Sequence, residues 1–309
     1  MTGEFGFISW LRARTQLSSR VLTGPGDDCA VLTPSAQPVL ITTDMLMDGT
    51  DFLIDEIGPR RAGRKAMAAN LSDIAAMAGV PTAAVVSVAL PRQTGIAGMT
   101  SSEFARELYQ GLRAAADPFD VPIVGGDTNS WQGPLVVSVT ALGESTARGA
   151  VSRSGARPGD WIFVTGPLGG SILGHHLDFT PRVREALALN AAVQLHAMCD
   201  LSDGLSADLN HILEESRCGA MLLAEAIPVS DAARELSRGS GKSPLQHALG
   251  DGEDFELVFT VSPEDGERLL QNPPVHGLVK IGECVETGLW LEQNGVRQPL
   301  QPTGWVHEV

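Results

Sequence analysis

The 309-residue chain has few aromatic side chains, 5% of the total with a single tyrosine, and only four cysteines. Those four, Cys29, Cys199, Cys218 and Cys284, show no Cys-x-x-Cys spacing. That excludes a zinc knuckle or a disulfide framework and leaves reduced, partly buried thiols as the expectation. Basic residues are also scarce: 22 Lys and Arg stand against 37 Asp and Glu, a formal net charge of −15. Holding DNA or RNA through its phosphates requires clustered Lys and Arg, and no such cluster occurs, so no nucleic-acid partner is expected. No apolar run approaches the roughly 18 residues that span a bilayer. The best, Ala83 to Leu90, is strand-sized. Glu4 precedes the first aromatic residues, and no basic segment or cleavage pattern accompanies them, so we expect no secretory leader, no membrane contact and a cytoplasmic protein.

What remains is an ordinary globular composition, 43% hydrophobic and 19% charged. At roughly 150 residues per domain, the length points to two domains. Short β-branched runs bounded by Gly, Pro or Asp predict strands at 39–43, 84–90, 135–142, 161–165 and 255–261. Helices are predicted at 61–78, 102–116 and 202–216. In the first, Ala66, Asn70, Asp73 and Met77 share a face; in the third, Leu205, Leu209, Ile212 and Leu213 form the apolar stripe. Strands and helices alternate in both halves. The span 143–159, rich in Gly, Ser and Arg, is the best boundary and sets the domains at 1–148 and 149–309.

The acids sit in six glycine- or threonine-flanked motifs: Gly26-Asp27-Asp28, Thr42-Thr43-Asp44, Asn70-Leu71-Ser72-Asp73, Gly125-Gly126-Asp127-Thr128, Asp200-Leu201-Ser202-Asp203-Gly204 and Gly252-Glu253-Asp254. Each is expected at a strand end or a helix start, where a fold gathers residues from distant positions. Crowded carboxylates repel one another unless a cation relieves them, and magnesium is the hard ion that takes oxygen ligands together with phosphates. Taken singly, Asp203 or Ser202 reads as a helix cap, and the 26–28 and 252–254 motifs read as turns. Asp73 is different, because an unpaired carboxylate in mid-helix on a face of Ala, Asn and Met is costly to bury.

Other features carry less. Gly241-Lys242-Ser243 imitates the end of a P-loop, but Leu236 stands where its first glycine is required and Pro244 where its helix would begin. The loop Thr165–Ser171 offers backbone N–H groups to an anion, and tight strand-to-helix packing explains its glycines equally well. His175 and His176 read as surface or capping residues, and Tyr109 as a half-buried helix residue.

In order along the chain, GDDCAVL at 26–32, ITTDML at 41–46, KAMAANLSDIAAM at 65–77, VGGDT at 124–128, SRSGARPGDWIFVTG at 152–166, DLSDGLSADLNHI at 200–212 and GEDFELVFT at 252–260 resemble the thiamine-monophosphate kinase family. That family lies within the aminoimidazole-ribonucleotide synthetase, or PurM-like, superfamily. The resemblance implies an α/β fold of α+β type in two domains: an N-terminal domain that binds ATP and magnesium and dimerises, and a C-terminal domain that closes over nucleotide and substrate. It implies a homodimer, several Mg2+ ions, ATP as co-substrate and thiamine monophosphate as substrate. Carried over by position, it makes Asp28, Thr42, Thr43, Asp44, Asp73, Asp127, Asp200 and Asp203 metal ligands. Tyr109, Gly126, Asp127, Arg153 and Ser202 become ATP contacts, with Arg153 a charge stabiliser, and Glu253 and Trp305 become substrate contacts. No residue is expected to act as a strong base, because an acceptor that is already a phosphate needs none. Asp51 departs from the pattern, standing where many members carry His, so it is expected to meet the substrate phosphate only through a metal or a water.

Relatives by fold remain as alternatives. Selenophosphate synthetase would need a reactive Cys and a Lys near the start, and residues 1–25 contain neither. A noncatalytic nucleotide-binding subunit would lack acidic ligands, which are all present. A two-metal phosphatase would release phosphate without an acceptor.

Overall fold

Period-two runs of Val, Ile, Leu and Thr become strands here, and the alanine-rich stretches between them become helices. The architecture is given by a computed structural model that describes residues 10–11, 13–14, 18–24, 29–92 and 98–305. In order, the first half holds β1 (Val21–Thr23), β2 (Val31–Leu32), β3 (Val39–Met47), α1 (Ile54–Ala76), β4 (Val80–Pro91), α2 (Ser101–Ala116), β5 (Ile123–Trp131) and β6 (Val136–Glu144). The second holds β7 (Trp161–Val164), α3 (Val183–Ala192), β8 (Leu195–Asp200), α4 (Leu205–Ser216), β9 (Gly219–Leu223), α5 (Asp231–Ser240) and α6 (Pro244–Gly250). It ends with β10 (Leu257–Val261), α7 (Pro263–Gln271), β11 (Val279–Val285), β12 (Leu289–Gln293) and β13 (Val296–Pro299). The chain forms two compact units, one of Met1–Ile74 with Val80–Ala147, the other of Ala75–Gly79 with Arg148–Val309. The whole is α/β of the α+β type. No helix among the described residues is long and apolar enough to cross a membrane.

In the N-terminal unit, four strands make a sheet in the order β3-β6-β4-β5, antiparallel except for the parallel pair of β4 and β5. Residues directly opposite in the ladder share a face, so Thr42 and Asp44 lie with Ala141 and Val139, which are fully buried. The other face carries Ile41, Thr43 and Met45, and Ile41 and Met45 are exposed there. Helix α1 is buried on nearly every side: Ala62, Ala66, Met67, Ala68 and Leu71 expose no surface. Gly58, at φ 73° and ψ 163°, is not helical and divides the span into a short first turn and the long helix that begins at Pro59, close to the predicted start at 61. Helix α2 opens on a capping box, in which the Thr100 hydroxyl accepts from the Glu103 N–H and the Glu103 carboxylate accepts from the Thr100 N–H.

The C-terminal unit has a seven-stranded sheet in the order β13-β12-β9-β11-β7-β10-β8. Its core gathers Ile162, Val164, Leu209, Ile212, Val258 and Ile281, none of which is exposed. Phe163 and Phe259 stack across β7 and β10 with ring centroids 5.6 Å apart. Strand β10 begins two residues later than the sequence suggests. Glu253 and Phe255 take left-handed φ values of 55° and 49°, which break the pleat and turn residues 253–255 into a loop.

Helices α1 and α2 touch backbone to backbone. A Cβ on Gly63 would lie 2.2 Å from the Leu108 carbonyl oxygen, and one on Gly111 would lie 1.8 Å from that of Arg60. Alanine is favoured over glycine by about 1 kcal/mol in a helix interior. Overpacking costs about 1–3 kcal/mol, and here the neighbour is backbone that cannot rotate away. Gly111→Ala is therefore expected to lower the urea midpoint, and a rise would show that the helices can part.

Candidate active site

Alternation along β3 sets Thr42 and Asp44 on the face that meets α1. There the Thr42 hydroxyl donates to Asp73 Oδ2 at 2.5 Å, and the Asp44 N–H donates to Asn70 Oδ1 at 3.2 Å. Asn70, fully buried, donates in turn to the Ala66 carbonyl at 3.0 Å, which fixes its orientation on the helix. Asp73, on the helix, thus finds a partner on the strand it faces. The Thr43 hydroxyl lies on the opposite face and donates to the Val139 carbonyl at 3.1 Å. Asp44 sits in mid-strand, not at a strand end, and so does Asp127 in β5, where it is exposed and pairs with Ser87. Gly126 precedes it, paired with Val86 at a φ of 151°. Asp28 lies outside the described residues.

The loop after β3 is knotted by its own acids. Asp51 Oδ2 accepts from the Met47 N–H at 2.6 Å, Asp48 Oδ1 accepts from the Ile54 N–H at 2.9 Å, and the buried Lys65 ammonium donates to the Asp51 carbonyl at 2.7 Å. Burial first, then the carboxylates of Asp73 and Asp51, push the Asp44 carboxyl up to about 7. Thr42, Asp44 and Asp73 are hard oxygen donors, and a cation would relieve the repulsion between the two carboxylates, so the set fits magnesium.

Tyr109 is 6% exposed, and its ring meets Trp10 edge-on at 5.5 Å. Both line a cavity of about 400 Å³ within the N-terminal unit, together with Arg14, Arg60 and Arg113.

In the C-terminal unit, Asp200 ends β8 and is buried, opposite Leu257. Neither Ser202 nor Asp203 caps α4, which begins at Leu205 behind Gly204. The cap comes from inside the helix: Asp208 Oδ2 accepts the N–H groups of Asp203 and Gly204, each at 3.0 Å. Burial, then Asp203, raises the Asp208 carboxyl to about 7, against the opposing pull of those N–H groups and Arg153. Asp203, Asp208 and His211 each bring one ligand atom within 4.8 Å of the others, a set able to hold a divalent ion. Sequence reasoning missed Asp208 and His211, although their i, i+3 spacing on a helix beginning near Asp203 was a usable clue. The Arg153 guanidinium lies beside Cys199 and near Asp200. The N–H groups of Glu253 and Trp305 donate to the adjacent carbonyls of Ser202, at 2.7 Å, and Asp203, at 3.1 Å.

The minor motifs resolve structurally. In the glycine loop, the Gly169 N–H is taken by Asp254, at 2.8 Å, and the Gly170 N–H by Asp251, at 3.0 Å, so these donors serve the protein's own carboxylates instead of a bound anion. Ser243 caps α6 with Pro244 at its first turn; a helix does start at that proline, where its missing N–H is harmless. His176 is buried, not a surface residue, with Nδ1 2.8 Å from the Ser171 carbonyl, and His175 Nε2 lies 3.0 Å from the Asp254 carbonyl.

Two family models match the chain: AIR synthase related protein, N-terminal domain, over residues 26–145, and AIR synthase related protein, C-terminal domain, over residues 157–289. They define its class, a two-domain protein of the PurM-like fold. A thiamine-monophosphate kinase of Rhodopirellula baltica is 42% identical over 98% of this chain and 97% of its own. The crystal structure of thiamine-monophosphate kinase from Stenotrophomonas maltophilia K279a superposes with a TM-score of 0.79 at 33% identity, covering 95% of this chain and 98% of that one. A structure of AaThiL complexed with AMPPCP and TMP superposes at 0.76, with 30% identity over 99% and 97% of the two chains. This chain belongs to the thiamine-monophosphate kinase family.

Asp44 gives a pH prediction. The folded chain keeps a proton on Asp44 up to about 7, whereas the unfolded chain loses it near 3.8. Its contribution to stability is therefore full below about pH 4, falls as the pH rises towards about 7 and is flat above. In chelator-treated protein, Asp44→Asn should flatten that fall in melting temperature, and magnesium should flatten it for the wild type but less for Asp44→Asn. An identical slope in both proteins would remove Asp44 as its source.

Proposed function

We propose that the protein transfers the γ-phosphoryl group of ATP to thiamine monophosphate, giving thiamine diphosphate and ADP. The observation that carries this reading is the crowding of Asp44, Asp73 and Asp51, which raises the Asp44 carboxyl to about 7 in a chain 42% identical to a kinase of this name. An acceptor phosphate oxygen attacks the γ-phosphorus as the bond to the β,γ-bridging oxygen breaks, and the electron pair leaves with ADP. No strong base is required, so the chain's work is positioning and charge control.

Thr42, Asp44 and Asp73 in one unit, and Asp200 and Asp203 in the other, are the residues that would hold Mg2+, with Thr43, Asp127 and Asp28 as further members of the family's set. When bound, Mg2+ supplies positive charge that offsets the phosphates. Arg153, always protonated, adds a fixed donor for nucleotide oxygens. Tyr109, Gly126 and Ser202 are read as ATP contacts, and Glu253 and Trp305 as contacts of the thiamine monophosphate. Asp51 commits one oxygen to the Met47 N–H and loads its charge onto Asp44, so it belongs among the acids that a cation relieves. A cytoplasmic setting, where ATP and magnesium coexist with the free thiols of Cys29, Cys199, Cys218 and Cys284, completes the reading.

Incubation with ATP, magnesium and thiamine monophosphate, followed by separation of the thiamine esters, should give thiamine diphosphate only when all three are present. Product from free thiamine, or none, sinks the proposal. Asp44→Asn and Asp73→Asn should each lower kcat by about a hundredfold or more while the circular dichroism spectrum is kept. Full turnover at saturating magnesium would refute the ligand assignment.

A homodimer forms part of the same proposal. Ile41 and Met45, 69% and 61% exposed, line the uncovered face of edge strand β3, a surface that a second copy would cover. Light scattering should return about twice the 32.5 kDa chain mass. A monomer at micromolar concentration would overturn the dimer and leave the kinase reading standing.

A further inference from the structure

Residues 301–305 follow the last strand without regular structure and are exposed. They are nevertheless tied down, through one buried hydroxyl. Ser206, in the first turn of α4, exposes no surface, and its Oγ accepts from the Thr303 N–H at 3.0 Å. The single hydroxyl proton is shared between the Leu249 carbonyl and the Thr303 carbonyl, both 2.9 Å away. Two residues further on, the Trp305 N–H reaches the Asp203 carbonyl at 3.1 Å. Between them, a Cβ on Gly304 would lie 2.5 Å from that same Asp203 oxygen and 2.8 Å from the Ala207 Cβ, so the segment passes closer to α4 than any side chain permits.

Serine is a mediocre helix former because its hydroxyl competes for backbone groups. At Ser206 that competition serves another segment. The Ser202 and Asp203 carbonyls are adjacent, and from them hang Glu253 and Trp305 respectively. A tie that sets where residues 303–305 cross α4 therefore sets the separation of those two residues.

We infer that Ser206, assisted by Gly304, is a positioning residue for the substrate: it holds the C-terminal segment so that Trp305 stands at a fixed distance from Glu253, where the thiamine end binds. The inference rests on the reading of Glu253 and Trp305 as substrate contacts. Ser206 touches no reacting atom. Its effect belongs to recognition of thiamine monophosphate, not to ATP or to the transfer step.

The test uses the full-length protein and the variants Ser206→Ala, Ser206→Thr, Gly304→Ala, Trp305→Ala and Ser206→Ala/Trp305→Ala. Without substrate, amide hydrogen exchange at Thr303 and Trp305 should quicken by about tenfold or more in Ser206→Ala and return towards wild type in Ser206→Thr. In turnover, Ser206→Ala and Gly304→Ala should raise KM for thiamine monophosphate by about five- to tenfold, with KM for ATP and kcat changed by less than about twofold. In the Trp305→Ala background, Ser206→Ala should add nothing further. Unchanged exchange in Ser206→Ala overturns the tie. An equal loss in both KM values and kcat that persists without Trp305 overturns positioning in favour of simple helix stabilisation. If Trp305→Ala alone leaves KM for thiamine monophosphate unchanged, the substrate reading of Trp305 fails and takes the kinetic consequence with it, and the exchange data then report on the tie separately.

Discussion

Mutual repulsion among carboxylates withdrawn from water is the constraint around which the N-terminal unit is arranged. Asp44 alone on a sheet would ionise like any other aspartate. Set under α1 beside Asp73 and within reach of Asp51, it holds its proton to about 7. Everything near it restrains that repulsion without cancelling it. Thr42 gives Asp73 a hydrogen-bond donor, Asn70 takes the Asp44 N–H, and Met47 occupies one oxygen of Asp51. None of these neighbours brings a positive charge. The nearby buried cation, Lys65, gives a hydrogen bond to a carbonyl of the same loop. The crowding that keeps the Asp44 proton up to about 7 is one that a cation from solution would relieve.

The C-terminal unit handles its acids differently. Asp208, Asp254 and Asp251 bind backbone N–H groups of neighbouring loops, and Glu256 is held by Arg182 and Thr165. These carboxylates are internal braces. They tie the loop after β8, which carries Ser202 and Asp203, and the glycine loop after β7 to the rest of the unit. The same residue type is crowded against its own kind around Asp44 and tied to peptide donors in the C-terminal unit.

Much of this was legible in the sequence, and the limits have physical causes. The strands at 39–43, 84–90, 135–142 and 161–165 show because β-branched runs between glycines have few other options. Asp73 shows because a carboxylate on an alanine face has no cheap structural excuse. The mid-strand positions of Asp44 and Asp127 were hidden, since Thr and Gly next to an acid look like a strand's end. They are in fact one face of a strand that continues, and β5 continues through glycines because it lies at the sheet's edge. Asp208 was hidden because its role is to reach backward to N–H groups before its own helix, and sequence reading looks for caps in front. Ser206 was hidden because its partner lies 97 residues away in a segment with no pattern of its own.

The contact of α1 with α2 at Gly63 and Gly111 has a further meaning. Where two helices meet through side chains, their spacing can drift by substitution, a methylene at a time. Here the spacing is set by peptide groups, which come in one size. Helix α1 is thus held at a constant distance from α2. A lineage could change the side chains that flank the crossing. It could not easily change the distance.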